Sequence, residues 1–546
     1  MVSHTPFAHG RTGRRTNATV AERFRRNPKR GRPRRGCFGT ETQAVLLRWA
    51  WMSDEREEGA GPAPLLEPGR NCWRIERADR AALVVDAADY FRFARQAMLR
   101  ARSQILLIGW DFDTRIFLDQ APEDEAPTKL GPFISWLAKE RPDLSIHILK
   151  WDLGAVKLLG RGTTIFRLAR WARSKQIFFK LDGAHPTGAS HHHKIVVVDD
   201  ALAFCGGIDM TASRWDTRGH EDRDKRRRRP TTGRRYGPWH DATMAVSGAA
   251  ARALGDLSRE RWKAAGGAPI DPPQGQSDPW PDDLEPMFRN VEVAVARTRG
   301  AYDDVAEVRE IEALFVDMIA RARRFVYAEN QFFASRVIAQ AIAKRLAEPD
   351  GPEFVIVNPK IVEGWVEEEV MSPARARLMR MLGEADRHGR FRVYTPVTEA
   401  GEDIYVHAKI VVVDDQMLRV GSANMNNRSM GLDSECDLLI DGRREANAGA
   451  GRAIAAVRAD LLAEHLGVSP EEVEARLAAA GSLIAAIDAL RGGGRTLVPF
   501  TPKEPNKVEA AIAESEALDP ESAGEAFEPL ARPGLFARLK SFMRRK

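Results

Sequence analysis

The sequence predicts an α/β protein of two similar halves. Each half is a mixed β-sheet covered by helices, and the halves are related by a pseudo-two-fold axis around one shared active site. Three observations predict it. The heptapeptide KIVVVDD occurs at 194–200 and again at 409–415, 215 positions apart, each time with a histidine two residues ahead of the lysine. Helix-like and strand-like segments recur in the same order around both copies. A proline-rich stretch, GAPIDPPQGQSDPWPDDLEP (267–286), separates the copies and has the composition of a linker.

The elements follow in order. Residues 1–51 carry eleven Arg and one Lys against Glu22 and Glu41, with little to bury, and are expected to be a disordered basic tail. The whole chain of 546 residues has a formal charge of +6, so the remaining 495 residues are net acidic, at about −4. The basicity therefore belongs to the tail, and a basic nucleic-acid face is not expected. The first half is expected over 52–266, the second over 287–445, a helical cap over 446–500, and a C-terminal tail over 501–546. Amphipathic helices near 87–103 and 308–323 lead into the buried strands ILLIGWDF (105–112) and FVYAENQF (325–332). LSIHILKWD (144–152) and PEFVIVNP (352–359) follow, then IFFKLD (177–182) and RFRVYTP (390–396), and then the repeated strands.

Side chains alternate across a strand, so His192 and Lys194 share a face, as do His407 and Lys409. The same alternation separates His192 from His191 and His193, which argues against a single three-histidine metal cluster. Asp199 and Asp414 end the repeated strands on the opposite parity and are expected to form turns and hold backbone. Six residues separate each aspartate from a small-residue loop, GGID (206–209) or GSAN (421–424), which lets backbone approach a ligand. It offers Gly207, Asp209, Ser422 and Asn424 as phosphate contacts. WHDATMAVSG (239–248) aligns with SECDLLIDG (434–442) and sets Asp241 opposite Glu435, with 21 additional residues in the first half.

Two imidazoles, two ammonium groups and two carboxylates around one anion suit a phosphodiester. One neutral histidine attacks phosphorus to form a phosphohistidine. The other, protonated, donates to the leaving oxygen. The lysines hold the non-bridging oxygens, and a carboxylate behind each ring fixes its tautomer.

The spacing H-x-K-x4-D-x6-G-[GS], present twice, resembles the phospholipase D superfamily with its paired HKD motifs. GGIDMTASRWDTRGH (206–220), YAENQFF (327–333) and GSANMNNRSMGLDSECDLLI (421–440) are similar to the eukaryotic-type, lipid-hydrolysing members, and the resemblance spans roughly 65–470. It implies His192, Lys194, Asp199, His407, Lys409 and Asp414 as the catalytic motifs, with His192 the nucleophile by family precedent. It implies a phosphodiesterase that needs no metal or other cofactor. Such an enzyme hydrolyses phosphatidylcholine or phosphatidylethanolamine to phosphatidic acid, with transfer to alcohols as a side reaction. The partners it implies are a phospholipid membrane surface and water or an alcohol as acceptor, with no nucleic acid. Alternatives of the same chemistry are a cardiolipin synthase-type phosphatidyltransferase and a superfamily nuclease.

The lipid-binding modules that precede many eukaryotic members have no counterpart in residues 1–64, so membrane attachment is expected elsewhere. PGLFARLKSFMRRK (533–546) has the spacing of an amphipathic helix suited to anionic lipid. RDKRRRRPTTGRR (223–235) is expected to be a solvated loop or to reach the mouth of the site. DFDT (111–114) lacks the rest of a metal-dependent phosphatase signature and is discounted. Four cysteines are too few for a disulfide framework, and no segment has the length and apolarity of a signal peptide or membrane span. A cytoplasmic or peripheral-membrane location is expected.

Overall fold

The computed structural model describes residues 64–152, 163–361 and 365–502. The expected basic tail and the amphipathic 533–546 segment lie outside the described residues. The described residues form one compact unit.

The first half contributes β1 (Arg74–Val85), β2 (Gln104–Gly109), β3 (Ser145–Trp151), β4 (Ile177–Asp182), β5 (Ile195–Val198), β6 (Leu202–Gly206), β7 (Trp239–His240) and β8 (Ala242–Ser247). The second contributes β9 (Phe288–Arg299), β10 (Val308–Arg309), β11 (Phe325–Asn330), β12 (Glu353–Val357), β13 (Phe391–Val397), β14 (Tyr405–Val406), β15 (Lys409–Val413), β16 (Met417–Gly421), β17 (Glu435–Asp441) and β18 (Thr496–Pro499). The order β1-β8-β6-β5-β2-β3-β4 in one half is matched by β9-β17-β16-β15-β11-β12-β13 in the other. β1 and β9, the equivalent edge strands, pair antiparallel from Arg74↔Val295 to Ala81↔Phe288. Antiparallel pairing of equivalent strands is what a two-fold axis produces, and it fuses the half-sheets into one. Neither β1 nor β9 stands out in the sequence, because RIERADRAALVV opens with exposed charges and only its second half is buried.

The repeated strand is apolar throughout because both of its faces are covered. Ile195 and Val197 enter a central core shared by the two halves, whereas Val196 and Val198 enter the core under the first half's helices. Ile410 and Val412 join the central core, and Val411 and Val413 join that under the second half's helices.

The paired aspartates that end each copy form turns with positive φ at Asp199, Asp200, Asp414 and Asp415. This is the twist-matched hairpin geometry that aspartate tolerates. Asp199 accepts from the amides of Arg102, Ser103 and Gln104 at 2.7–2.9 Å. Asp414 accepts from those of Arg323, Arg324 and Phe325 at 2.7–2.9 Å. Asp200 pairs with Arg259 and Asp415 with Arg458, each on a covering helix. The HKD motif places Asp199 and Asp414 among the catalytic residues, yet they sit at the far ends of the strands and brace backbone. Asp199→Ala and Asp414→Ala should each cost about 1–3 kcal/mol, from three lost hydrogen bonds to backbone amides and a strained turn. A lowered urea midpoint checks this, with activity per folded molecule retained.

The proline-rich segment is not a free spacer. Trp280 and Leu284 are buried in it, and Asp282 pairs with Arg100 of the first half. The helix Ala450–Leu466 carries Glu464 across to Arg218, His220 and His240 of the first half, so the expected cap of the second half serves both. Among the described residues no helix is long and apolar enough to cross a membrane. Cys72, Cys205 and Cys436 are buried free thiols.

Candidate active site

The two repeated motifs meet where the halves face each other. The segments carrying the histidines leave the sheet just ahead of β5 and β15 and pair, main chain to main chain, with the opposite half. The His192 amide donates to the Ser434 carbonyl at 3.0 Å, and the His407 amide to the His240 carbonyl at 2.7 Å. Ser434 and His240 immediately precede Glu435 and Asp241. Each histidine is thereby delivered to the other half's carboxylate. His192 Nδ1 lies 2.9 and 3.0 Å from the two Glu435 oxygens, and His407 Nδ1 lies 2.7 Å from Asp241 Oδ2. β7 and β14 reinforce the crossing as a short parallel ladder, Tyr405↔Trp239 and Val406↔His240.

The lysines occupy equivalent places. Lys194 Nζ donates to the His192 carbonyl at 2.9 Å and lies 3.4 Å from Asp209 Oδ2. Lys409 Nζ donates to the His407 carbonyl and to Gln331 Oε1 at 3.2 Å. Burial and the positive fields of Lys194 and Lys409 hold the His192 imidazole well below its usual range. Burial, Lys409 and Arg214 do the same to His407. Burial pushes Asp241 up to about 7 and Glu435 up to about 8, and pulls Lys409 down to about 7. Both shifts favour the neutral form of the ring. With Nδ1–H directed at a carboxylate, each Nε2 keeps its lone pair.

The small-residue loops play a different part from the one the sequence suggests. A Cβ on Gly207 would lie 2.1 Å from Asp241 Oδ1 and 3.1 Å from the His407 carbonyl, so this position is closed to any side chain. Its counterpart, Ser422, donates to Glu435 Oε2 at 2.5 Å and accepts from the Cys436 amide at 3.0 Å. Ser422 is therefore engaged in holding Glu435 rather than turned to a phosphate. Asp209 accepts from the amides of Trp110 and Asp111 at 2.9 and 3.2 Å, and a carboxylate so placed braces Lys194 rather than binding an anion. Asn424 is buried, and its side-chain oxygen accepts no hydrogen bond. His191 and His193 stack edge to face at 4.9 Å on the side away from His192, as alternation requires.

Other groups complete the site. Ser429 donates to Glu435 Oε1 at 2.6 Å, and Gln331 receives Lys409. Both lie inside the stretches that carry the family resemblance, but nothing in their spacing marks them. Trp239 stacks on Tyr405 at 4.4 Å and lies 5.3 Å from the His407 ring, with Arg214 over its face at 4.2 Å. These aromatics line a cavity of about 280 Å³ with Tyr236, Asp403 and Arg229. Arg229 brings the basic 223–235 segment to the mouth of the site, while Arg227 turns inward to Asp216 at 2.9 Å.

Residues 97–341 and 393–480 match the family described as Phospholipase D. "Phospholipase D A" of Dictyostelium discoideum is 24% identical over 475 residues, covering 71% of this chain and 36% of its own length. "Phospholipase D alpha 4" of Arabidopsis thaliana is 22% identical over 482 residues, covering 68% of this chain and 62% of its own length. The chain thus spans about a third to under two thirds of these relatives. Among solved structures, a phosphatidylserine synthase from Haemophilus influenzae aligns with a TM-score of 0.47 at 13% identity, covering 76% of this chain and 97% of its own. The family match covers more than half of the chain, with both motifs inside it; this protein belongs to the phospholipase D family.

Proposed function

We propose that this protein is a phospholipase D that hydrolyses glycerophospholipids, phosphatidylcholine or phosphatidylethanolamine, to phosphatidic acid and the free headgroup alcohol. The observation that carries the reading is the crossed arrangement, in which each imidazole is oriented by the other half's carboxylate and flanked by its own lysine. His192 Nε2 attacks phosphorus, and the bond to the headgroup oxygen breaks. His407 gives that oxygen its proton, leaving a phosphatidyl-histidine. Water, or an alcohol, then surrenders a proton to His407 and displaces the phosphatidyl group from His192. His192 is the more accessible ring, at 16% side-chain exposure against 6% for His407, which favours it as nucleophile. Lys194 and Lys409 hold the non-bridging oxygens as their charge grows. The lipid surface supplies the substrate, and the aromatic cavity beside His407 receives the headgroup or the acceptor alcohol.

Vesicles of phosphatidylcholine incubated with the protein and a primary alcohol should release choline and form the phosphatidyl alcohol. Cleavage of DNA with no lipid turnover would reject this function in favour of a nuclease.

The pH dependence follows from the burial of the rings. The free enzyme needs one proton on the acid imidazole, whose affinity for it is lowered, so kcat/KM should begin to fall with rising pH below 6.5. Loss of the Lys409 proton near pH 7 adds to the fall. A bound phosphodiester anion raises the imidazole's affinity for its proton, so the limb in kcat should lie at higher pH than that in kcat/KM.

A further inference from the structure

A second cluster of ionisable groups lies between the halves and takes no part in the chemistry above. Asp86, His220, His240 and Glu464 are all buried, and one donor atom from each falls within 4.8 Å of the others. His220 Nε2 is 3.0 Å from Glu464 Oε1, and His240 Nδ1 is 2.9 Å from the same oxygen. His220 Nε2 is 3.5 Å from Asp86 Oδ2, and His240 Nδ1 is 3.5 Å from Asp86 Oδ1, which also accepts from the Asp241 amide at 3.1 Å. A tetrahedral zinc ion with bonds of about 2.0–2.1 Å has donor-to-donor edges of about 3.3–3.4 Å. Asp86 Oδ2 is buried, faces this space and accepts no hydrogen bond. Asp86 and His220 also hold positive φ, at 64° and 43°.

The surrounding shell is that of a metal centre. The remaining nitrogen of each imidazole meets a carboxylate, His220 Nδ1 at 3.0 Å from Asp216 and His240 Nε2 at 2.6 Å from Glu329. Ligating histidines are oriented in this way. Those carboxylates are fixed in turn, Asp216 by Arg227 and the Trp239 amide, Glu329 by Tyr327 and His465. A neutral imidazole has a single N–H, yet both nitrogens of both rings face carboxylate oxygens. Either two extra protons or one divalent cation must satisfy this arrangement, and the total charge is the same.

We propose that Asp86, His220, His240 and Glu464 bind one zinc ion that ties the helix Ala450–Leu466 to the first half. His240 immediately precedes Asp241, so the ion would also fix the strand that positions the His407 ring. This inference is independent of the substrate.

The test is metal analysis of the full chain purified from zinc-supplemented culture. About one zinc per chain is expected, and cobalt exchanged into the chelator-stripped protein should give the visible bands of a tetrahedral ion. Asp86→Asn, which keeps the side chain's shape, and His220→Ala should both lose the ion and its thermal stabilisation, while the exposed His388→Ala keeps both. A wild-type chain with less than about 0.1 zinc, no cobalt bands and no rise in Tm on adding zinc would overturn the proposal, leaving the cluster held by protons. Full zinc content in both Asp86→Asn and His220→Ala would also overturn it. The metal content of Asp86→Asn decides the matter if His220→Ala does not fold.

Discussion

His192→Ala is expected to lower turnover of phosphatidylcholine by about 10⁵–10⁶-fold, because no other group can form the covalent intermediate. His407→Ala should lose about 10²–10⁴-fold, since the choline alkoxide is a poor leaving group and needs the proton. The two losses are distinguishable. A phosphatidyl ester of p-nitrophenol leaves without an acid, so it should restore much of the first step to His407→Ala and none to His192→Ala. Burst formation of p-nitrophenolate is the measurement. Rescue of His192→Ala instead would exchange the two roles, which the near-symmetry of the site permits geometrically. Wild-type turnover of phosphatidylcholine by either variant would remove the two-imidazole mechanism altogether.

The second large effect comes from the carboxylates. Glu435→Gln should lower activity about 10³–10⁴-fold, because an amide nitrogen turned to Nδ1 forces the proton to Nε2 and occupies the attacking lone pair. Asp241→Asn should weaken His407 as an acid, because an amide cannot stabilise the imidazolium as the carboxylate does, and its loss should shrink with the p-nitrophenol ester as that of His407→Ala does. The crossing of the halves predicts the couplings. Glu435→Gln should add little to His192→Ala, although Glu435 lies 243 residues away in the other half. It should add its full effect to His407→Ala. The reverse pattern holds for Asp241, 166 residues from the ring it serves.

The Asp199 and Asp414 braces show how much of the site is readable from local pattern. Alternation alone puts the His and Lys of each copy on one face and the closing aspartate on the other, and the hydrogen bonds to the preceding strand agree with it. The duplicated KIVVVDD likewise reveals two equivalent halves, since a strand buried on both faces must be apolar at every position. The small-residue loops were misleading for the same local reason. Glycine and serine suit close approach to a phosphate, but here Gly207 makes room for Asp241 and Ser422 holds Glu435, neighbours that only the fold supplies.

By itself the sequence determined the duplication, the His–Lys face of each copy and the turn that anchors it, because these depend on the two-residue period of a strand and on residues within reach of one another along the chain. Tertiary structure alone decided that Glu435 serves His192 and Asp241 serves His407, and that Glu464 reaches His220 and His240. Those pairs are set by a pseudo-two-fold axis that joins β1 to β9 and exchanges main-chain partners across the halves, and spacing along a single chain carries no record of that exchange.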